Sequence, residues 1–424
     1  MGFIKNYSDL AITPQREIVL DLIEVAFNSI KPENVLANKF KVKDNILTIN
    51  HKRINLNDYE KTFILAFGKG SAKIAKLMEK ELGIFLNGGF VIDIDSENFE
   101  KLEFCLGTHP IPSETNIEFS KKAVDALSNL NEKTLILTVA CGGGSALFEI
   151  PNIELSKLIE INKTLLTLGA DIKEINTVRK HLSKTKGGGL VKLLAPAKVV
   201  SLIFSDVPGN DLQFIASGPT AFDNTSLYDA IDIYHKFKLK NHGLTEENFT
   251  ETPKNEKLFE NVENVLMLTN LIPLEAMKKK CEELKIKAEI FSDKFQSDAE
   301  LAATSLIKQA KPHSILLIGG ETTYKVINDE GKGGRNQVVV LAGIYEIDDK
   351  TIIASFDTDG WDNSPASGAI ADMQTLEKAK NLGINPLEYL KEDNSFVFFK
   401  NTQDAIITDR LKTNVSDLII IYKE

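Results

Sequence analysis

Glycines and a serine follow one apolar segment of the chain in an arrangement that suits anion binding. The run 135–140 is rich in β-branched residues and too short for a helix, so it predicts a buried parallel strand. Gly142, Gly143, Gly144 and Ser145 come almost directly after it. Glycine permits sharp turns that bring backbone amides close to an anion. This segment therefore predicts a phosphate or carboxylate cradle, and a flexible turn is the alternative.

A second glycine turn carries a lysine. Gly68, Lys69, Gly70 and Ser71 separate a predicted strand at 62–67 from a predicted helix at 72–82, and another strand is predicted at 89–93. This order is typical of a Rossmann-like unit. With Asp93 about twenty residues further on, the pattern approaches the dinucleotide-binding fingerprint, but the third glycine is missing. Lys69 would instead place a cation where a phosphate or carboxylate binds.

The second half of the chain contains comparable turns together with acidic loops. The segment 319–323 follows a predicted strand, the segment 331–337 opens a predicted helix, and an acidic loop spans 357–362. Phosphoryl transfer needs mainly positioning and charge neutralisation, with Mg²⁺ held by carboxylates or by the nucleotide. The residues that suit this reaction are the cations Lys69, Arg179, Lys186, Lys332 and Arg335 and the acids Asp206, Asp211, Asp359 and Asp362.

Two α/β domains must position these residues, because 424 residues exceed what one hydrophobic core usually supports. The polar stretch near 238–260 shows little periodicity. It predicts a Rossmann-like N-terminal domain at 1–240, a linker at 241–260 and a second α/β domain at 261–424. Ligands bind at the carboxyl ends of strands in open α/β sheets, so the active site is predicted in the cleft between the domains. His109 either faces that site or caps the helix predicted from Glu114.

Composition excludes several classes of protein. The net charge of −10 argues against dependence on a nucleic-acid backbone. The sequence shows neither an export signal nor an apolar run that could span a bilayer, so no membrane anchor is expected. Cys105, Cys141 and Cys281 show no metal-site spacing and predict neither zinc nor disulfides. We expect a cytoplasmic enzyme that acts on small molecules.

Nine segments in a fixed order resemble one family. They are AFGKGSA (66–72), GTHPIPSE (107–114), CGGGSALFEIP (141–151), INTVRKHLSKTKGG (175–188), SDVPGNDLQFIASGPT (205–220), GGETTYKV (319–326), GKGGRNQ (331–337), TDGWD (358–362) and TNVSDL (413–418). The chain resembles the ATP-dependent glycerate 2-kinases whose C-terminal half is called the MOFRL domain, and the resemblance covers nearly its whole length. It departs from the family at 409–412, where Asp-Arg-Leu-Lys stands in place of the common Gly-Pro-Thr-Gly.

The resemblance implies transfer of the γ-phosphate of ATP to the 2-hydroxyl of D-glycerate, with the 2-product resting on the resemblance alone. Lys69 and Arg335 match the family's catalytic lysine and arginine. A divalent cation, Mg²⁺, is expected, with Asp206 and Asp359 as predicted ligands. The residues predicted to contact substrate or nucleotide are Gly68, Gly70, Ser71, Gly142, Gly143, Gly144, Ser145, Arg179, Lys186, Gly218, Glu321, Thr322, Lys332, Gly333, Gly334 and Asn336.

Two other functions remain open at this point. The near fingerprint at Gly68 would suit an NAD(P)-dependent hydroxypyruvate reductase. A non-catalytic regulator that binds sugar acids or nucleotides would use the same cations for binding only. The sequence leaves open the oligomeric state, with a homodimer as one alternative, the preferred nucleotide and the range of hydroxy acids accepted.

Overall fold

In the computed structural model, which describes residues 2–424, the contacts divide the chain into two units. The middle unit comprises residues 35–205 and 210–267, and the terminal unit comprises residues 2–34, 206–209 and 268–424. These boundaries differ from the predicted ones. The first 34 residues and residues 206–209 group with the C-terminal half, and residues 241–260, predicted as a linker, belong to the middle unit together with residues 261–267.

The N-terminal helices explain the first difference. They are α1 (Tyr7–Leu10) and α2 (Pro14–Ser29), and Thr13 caps α2 by accepting a hydrogen bond from the amide of Arg16. The fully buried Arg16 donates to Asp372 from Nε and Nη2 and to Asp404 from Nη1, each at 2.7 Å. This charge pairing, together with the apolar face of α2, ties the helix to the terminal unit.

The middle unit begins with elements that the sequence analysis does not predict. These are α3 (Pro32–Lys39) and an antiparallel sheet of β1 (Phe40–Lys43), β2 (Ile46–Ile49) and β3 (Lys52–Asn55). Asp44 and Asn45 join β1 to β2 with φ angles of 50° and 65°. Asp and Asn tolerate this left-handed conformation, which short hairpin turns require.

A six-stranded sheet forms the centre of the middle unit. The elements in chain order are β4 (Lys61–Phe67), α4 (Ser71–Leu82), β5 (Gly88–Asp93), β6 (Leu102–Leu106), α5 (Glu114–Leu127), β7 (Thr134–Ala140), α6 (Gly144–Leu147), α7 (Leu155–Thr167), α8 (Ile172–His181), α9 (Gly189–Leu194), β8 (Lys198–Phe204), α10 (Leu227–Lys236) and β9 (Val262–Leu268). The strand order is β6-β5-β4-β7-β8-β9, and β4 to β8 are parallel. The chain order reverses between β4 and β7, which is where open α/β sheets bind their ligands.

Most of the predicted elements of this unit are confirmed. All seven residues of β7 are buried, as expected for a strand covered on both faces. Asp171 and Glu174 form a capping box at the start of α8, as their three-residue spacing predicts. The segment predicted as a linker instead forms short 3₁₀ turns, and Leu244 and Phe249 are buried in the core with residues of α7, α8 and α10.

The terminal unit is built on a mixed sheet. The remaining elements are α11 (Leu271–Glu283), β10 (Lys287–Phe295), α12 (Ala299–Gln309), β11 (Ser314–Gly320), α13 (Arg335–Ala342), β12 (Thr351–Asp357), β13 (Gly368–Ala371), α14 (Met373–Leu382), α15 (Pro386–Lys391), α16 (Ser395–Thr402), β14 (Ala405–Ile406) and β15 (Asp417–Lys423). The strand order is β10-β11-β15-β12-β13-β14, and only the β10–β11 pair is parallel. The last strand, β15, therefore lies between β11 and β12.

Both units are α/β, as predicted. Helices α10 and α14 to α16 and the short strands β13 and β14 were not predicted. Residues 2–424 contain no helix with the length and apolarity that a membrane span requires.

Candidate active site

The two predicted glycine turns lie next to each other in the middle unit. They follow β4 and β7, which are adjacent strands, and the amide of Lys69 donates to the carbonyl of Gly142 at 2.8 Å. Gly143 has a φ of 77°, and a Cβ placed there would lie 2.8 Å from His109 Cδ2 and 3.3 Å from Lys69 Cγ. The point where the chain order reverses therefore brings together the lysine turn, the triple glycine and His109.

The lysine turn is held by the start of α4. Gly70 has a φ of 83° at the N-cap, and the buried Ser71 hydroxyl donates to the carbonyl of Ile92 at 3.3 Å. The Asp93 carboxylate accepts from the amide of Ala72 at 2.9 Å, and burial raises the pKa of Asp93 to about 6. Asp93 thus fixes the helix start, so it does not support the dinucleotide pattern.

Gly68 is needed for close contact between the two turns. Its φ is 108°, and a Cβ there would lie 2.5 Å from the carbonyl oxygen of Cys141. Gly144 is also closely packed, with its amide donating to the Cys141 carbonyl at 3.1 Å and its missing Cβ 2.8 Å from that of Ala216. Both glycines therefore shape the site through backbone packing.

A cavity of about 190 Å³ lies beside these turns. Its polar lining residues are His109, Ser145, Glu149, Asn162, Arg179 and Lys186. Ser145, Arg179 and Lys186 were predicted, as was Gly143, which also lines the cavity. Glu149 and Asn162 were not predicted. Asn162 lies within α7, where the local sequence gives no signal of a binding residue. His109 lines the cavity, and Ser113 caps α5 instead.

The charges around this cavity are unevenly balanced. Buried Lys186 contacts the buried carboxylate of Glu149, which also accepts from the Ser183 hydroxyl at 2.5 Å. Burial lowers the pKa of Lys186 to about 7, while the adjacent carboxylate favours its charged form. Burial also lowers the pKa of Arg179. Burial and then the nearby Lys69 lower the pKa of His109.

The basic cluster at the end of α8 mostly faces the protein interior. A lysine-rich segment of this kind is typical of a solvent-exposed helix face, yet Lys180 is buried and its Nζ lies 3.0 Å from an oxygen of Asp223. Lys186 is buried as well, Arg179 is half-buried, and Lys184 is exposed. Arg179 and Lys186 therefore line the cavity, and Lys180 is held in the protein interior by its ion pair with Asp223.

A chain of hydroxyl groups supports Ser145. Its Oγ lies 2.7 Å from Ser217 Oγ, which donates to Asn176 Oδ1 at 2.8 Å. Gly218 follows with a φ of 65°, and its carbonyl accepts from the Gly188 amide at 2.8 Å. Gly218 therefore stabilises the turn behind Ser145 and is not part of the cavity lining.

Arg335 is the centre of a second cluster, in the terminal unit. It contacts Glu321, its Nε lies 2.7 Å from Asp417 Oδ2, and its Nη2 lies 3.8 Å from Asp357 Oδ2. Burial alone would lower the pKa of Arg335, but Asp417, Glu321 and Asp357 raise it overall. A cavity of about 560 Å³ adjoins the cluster, and its lining includes Arg335, Glu321, Thr322, Gly333, Gly334, Asp357 and Trp361.

Sheet register produces this cluster. Asp417 opens β15 and pairs with Gly320 at the end of β11 and with Asp357 at the end of β12. Burial raises the pKa of Asp417 to about 7 despite the neighbouring Arg335. Burial, followed by Asp417 and Asp359, raises the pKa of Asp357. Two buried carboxylates therefore lie side by side.

The start of α13 differs from the anion cradle that its glycines predicted. Asp362 accepts from the amides of Asn336 and Gln337 at 3.1 and 2.8 Å, and burial raises its pKa. A Cβ on Gly334 would lie 2.2 Å from Asp362 Oδ1. The protein's own carboxylate thus occupies the helix N-terminus, where anions are favoured.

Two predicted binding residues of this segment have other surroundings. The Asn336 side chain is buried, where it accepts from the Ser355 hydroxyl at 2.6 Å and donates to Asp417 Oδ1 at 2.8 Å. Lys332 is exposed, and its amide donates to Asn394 Oδ1 at 3.3 Å. Neither residue lines the adjoining cavity.

Thr322 is closer to what a binding site needs. It is buried and lines the cavity, and among residues 2–424 its Oγ1 has no hydrogen-bond partner. Buried polar atoms are normally satisfied, so an orphaned hydroxyl suggests a ligand or water.

The two predicted metal ligands lie in the same unit. The Asp359 carboxylate accepts from the amide of Trp361 at 2.9 Å, and the carbonyl of Asp206 accepts from the Ser416 hydroxyl at 2.5 Å. Residues 2–424 contain no group of three or more His, Cys, Asp or Glu side chains arranged to hold a metal ion. A magnesium site at Asp206 and Asp359 stays a prediction.

Comparison with known proteins places this chain in a family. A glycerate 2-kinase from Pyrococcus horikoshii is 34% identical over 430 residues, which cover 96% of each chain. This chain belongs to the glycerate 2-kinase family. A D-glycerate 2-kinase from Thermotoga maritima is 31% identical over 96% of this chain and 97% of that protein. Family membership, predicted from the nine segments, is confirmed.

Other comparisons agree with membership in the glycerate 2-kinase family. The crystal structure of a glycerate kinase from Thermotoga maritima aligns with a TM-score of 0.85 at 30% identity, covering 96% of this chain and 99% of that one. Residues 18–247 match a domain of unknown function, DUF4147, and residues 314–417 match the MOFRL family.

Proposed function

We propose that the protein is an ATP-dependent D-glycerate 2-kinase that forms 2-phosphoglycerate and ADP. The observation that carries this proposal is the arrangement where the chain order reverses in the middle unit. There Lys69 lies against the Gly143 turn, and that turn borders a small cavity lined by Arg179. The names of its relatives support the same activity.

Lys69 has the role of offsetting negative charge on the transferring phosphoryl group. Catalysis of phosphoryl transfer depends mainly on positioned cations that act where charge develops. Among the described residues Lys69 forms no ion pair within the protein. Its charge is therefore available to a ligand, and the neighbouring cavity is small enough to suit a three-carbon acid.

The cluster in the terminal unit is suited to the nucleotide. Its cavity is larger, Arg335 supplies a cation with a planar fork of donors, and Thr322 has an unused hydroxyl. Asp357 and Asp417 are adjacent carboxylates whose negative charges are unfavourable when buried. Because Mg²⁺ prefers oxygen ligands and would offset this charge, the two residues fit a Mg²⁺ site. They join Asp206 and Asp359 as proposed ligands. A bound Mg²⁺ would neutralise charge on the ATP phosphates.

The alternative functions are separated by their products. The purified protein is incubated with D-glycerate, ATP and Mg²⁺, and separately with hydroxypyruvate and NADH. We expect ADP and 2-phosphoglycerate in the first mixture, identified by phosphorus NMR, and no NADH oxidation in the second. Formation of 3-phosphoglycerate would contradict the proposed regiochemistry. NADH oxidation without ADP would favour the reductase, and neither product would favour a binding protein.

A further inference from the structure

Arg179 is a half-buried cation whose charge the protein leaves unbalanced. Its Nε donates to Asn162 Oδ1 at 2.7 Å. Among residues 2–424 it forms no ion pair, and its two Nη nitrogens donate to no protein acceptor. Those nitrogens are not sealed from solvent, and Arg179 lines the 190 Å³ cavity.

The fully buried lysine and arginine side chains of residues 2–424 are paired. Lys180 has Asp223, Lys186 has Glu149, and Arg16 has two carboxylates. Taking an uncompensated charge even partly out of water is costly, and this partial burial lowers the pKa of Arg179. An anionic ligand in the cavity would offset that cost, which explains why the fold keeps this guanidinium.

The size of the cavity decides which anion fits. Pockets for drug-sized ligands usually span roughly 300 to 1,000 Å³. A cavity of about 190 Å³ is smaller, so it suits a small acid better than a nucleotide. Guanidinium groups bind carboxylates through two parallel hydrogen bonds. The hydroxyl of Ser145 and the imidazole of His109 supply further polar contacts for hydroxyl groups of such an acid.

We propose that this cavity is the hydroxy-acid site and that Arg179 binds the substrate carboxylate. Arg179 thereby selects 2-hydroxy acids over neutral polyols such as glycerol. The proposal rests on the proposed kinase function for the identity of the acid. A guanidinium also binds phosphate groups, so the test measures the binding of both D-glycerate and inorganic phosphate.

The test compares Arg179→Gln and Arg179→Lys with Lys173→Gln, an exposed lysine on the same helix. Calorimetry measures binding of D-glycerate, inorganic phosphate and ADP to each protein without the other substrates. We expect Arg179→Gln to weaken D-glycerate binding on the order of tenfold to a hundredfold, as for loss of a charged hydrogen bond. Arg179→Lys recovers part of this affinity. ADP affinity, and glycerate affinity in Lys173→Gln, stay within about twofold of wild type.

Kinetics and melting complete the test. In Arg179→Gln the KM for glycerate rises, the KM for ATP is unchanged, and the preference for glycerate over glycerol falls. The ligand-free variant melts no lower than wild type, because it loses a half-buried charge that has no partner; loss of a purely structural residue would lower the melting temperature. Unchanged glycerate affinity, or loss of phosphate affinity alone, overturns the proposal while the kinase function stands. Wild-type protein that binds glycerate through Arg179 without phosphorylating it overturns the kinase function and leaves the site assignment.

Discussion

At the scale of single residues, Lys69 and Arg335 differ in how the protein balances their charges. Arg335 is surrounded by Glu321, Asp357 and Asp417, whereas Lys69 forms no ion pair among residues 2–424. Removal of either cation should slow phosphoryl transfer. Removal of Arg335 should also leave three carboxylates without their common partner, so its structural cost is larger.

We therefore expect Lys69→Ala and Arg335→Ala to lower kcat by roughly 10² to 10³, the usual cost of removing a positioned charge from a transition state. Arg335→Lys should stay impaired, because a point charge cannot replace the guanidinium fork. Steady-state kinetics are measured together with thermal melting. Only the Arg335 variants should melt clearly lower than wild type.

The controls are Lys80→Ala and Lys325→Ala, which remove one exposed lysine from each unit that lines neither cavity. Both should keep kcat within about twofold of wild type. A folded Lys69→Ala or Arg335→Ala variant with kcat within about threefold of wild type would remove that residue from the mechanism.

Gly143 allows a second test with a closely matched control. A Cβ at Gly143 would meet His109 at 2.8 Å, whereas a Cβ at Gly169, whose φ of 74° is similar, would meet nothing within 4 Å. Gly143→Ala and Gly169→Ala should share a backbone cost of about 1 kcal/mol. Only Gly143→Ala should raise the KM for glycerate, because only it displaces His109. Equal KM values in the two variants would contradict this.

The buried carboxylate of Asp417 makes stability depend on pH. Its pKa is raised from 3.8 to about 7, so between these values the folded state binds more protons than the unfolded state. Stability from this group is therefore fully present below pH 4 and is lost as the pH rises through 7. Melting temperatures of wild type and Asp417→Asn are compared from pH 5 to 8. The wild type should lose stability relative to the variant as the pH rises, and a constant difference would refute the assignment.

At the scale of elements, the sequence predicted turns and helix starts that are encoded locally. It did not predict which distant segments lie next to them. Glycine turns after apolar runs located the ends of β4 and β7, and Asp171 with Glu174 located the start of α8. Their adjacency depends on strand order, which a single sequence does not encode locally. The turn before α13 was predicted as an anion cradle, yet Asp362, distant in sequence, fills it.

The short strands β1 to β3 were missed for a related reason. Each has only four residues, exposed lysines alternate with apolar positions in β1, and β3 begins with the exposed Lys52 and Arg53, so their hydrophobic signal is weak. The apolar stripe of α2 predicts that this helix packs on a core, but it does not predict which core. Long-range pairs such as Arg16 with Asp404 decide that choice and leave no trace in local periodicity.

At the scale of the whole molecule, a substitution of Arg16 tests the division of the chain into two units. Arg16→Ala leaves Asp372 and Asp404 buried without their main cation, although Lys378 still contacts Asp404 at 2.8 Å. Breaking a buried pair typically costs 3 to 5 kcal/mol, and we expect about 3 because of the remaining lysine. Hydrogen exchange should accelerate in residues 268–424 and stay unchanged in residues 61–204. Glu17→Gln, an exposed change on the same helix, is the control. Uniform acceleration in both segments would argue against separate units.

The position of β15 has a consequence for how the protein is made. The seven residues of β15 lie inside the terminal sheet, so this sheet cannot be completed until they have been synthesised. Helix α2 is synthesised about 390 residues before β15 yet packs on the core that β15 completes, and at roughly 5 to 20 residues per second it waits about 20 to 80 seconds. The middle unit is synthesised during this interval. The apolar face of α2 therefore needs protection in the nascent chain, by chaperones or by transient contacts, until β15 has been synthesised.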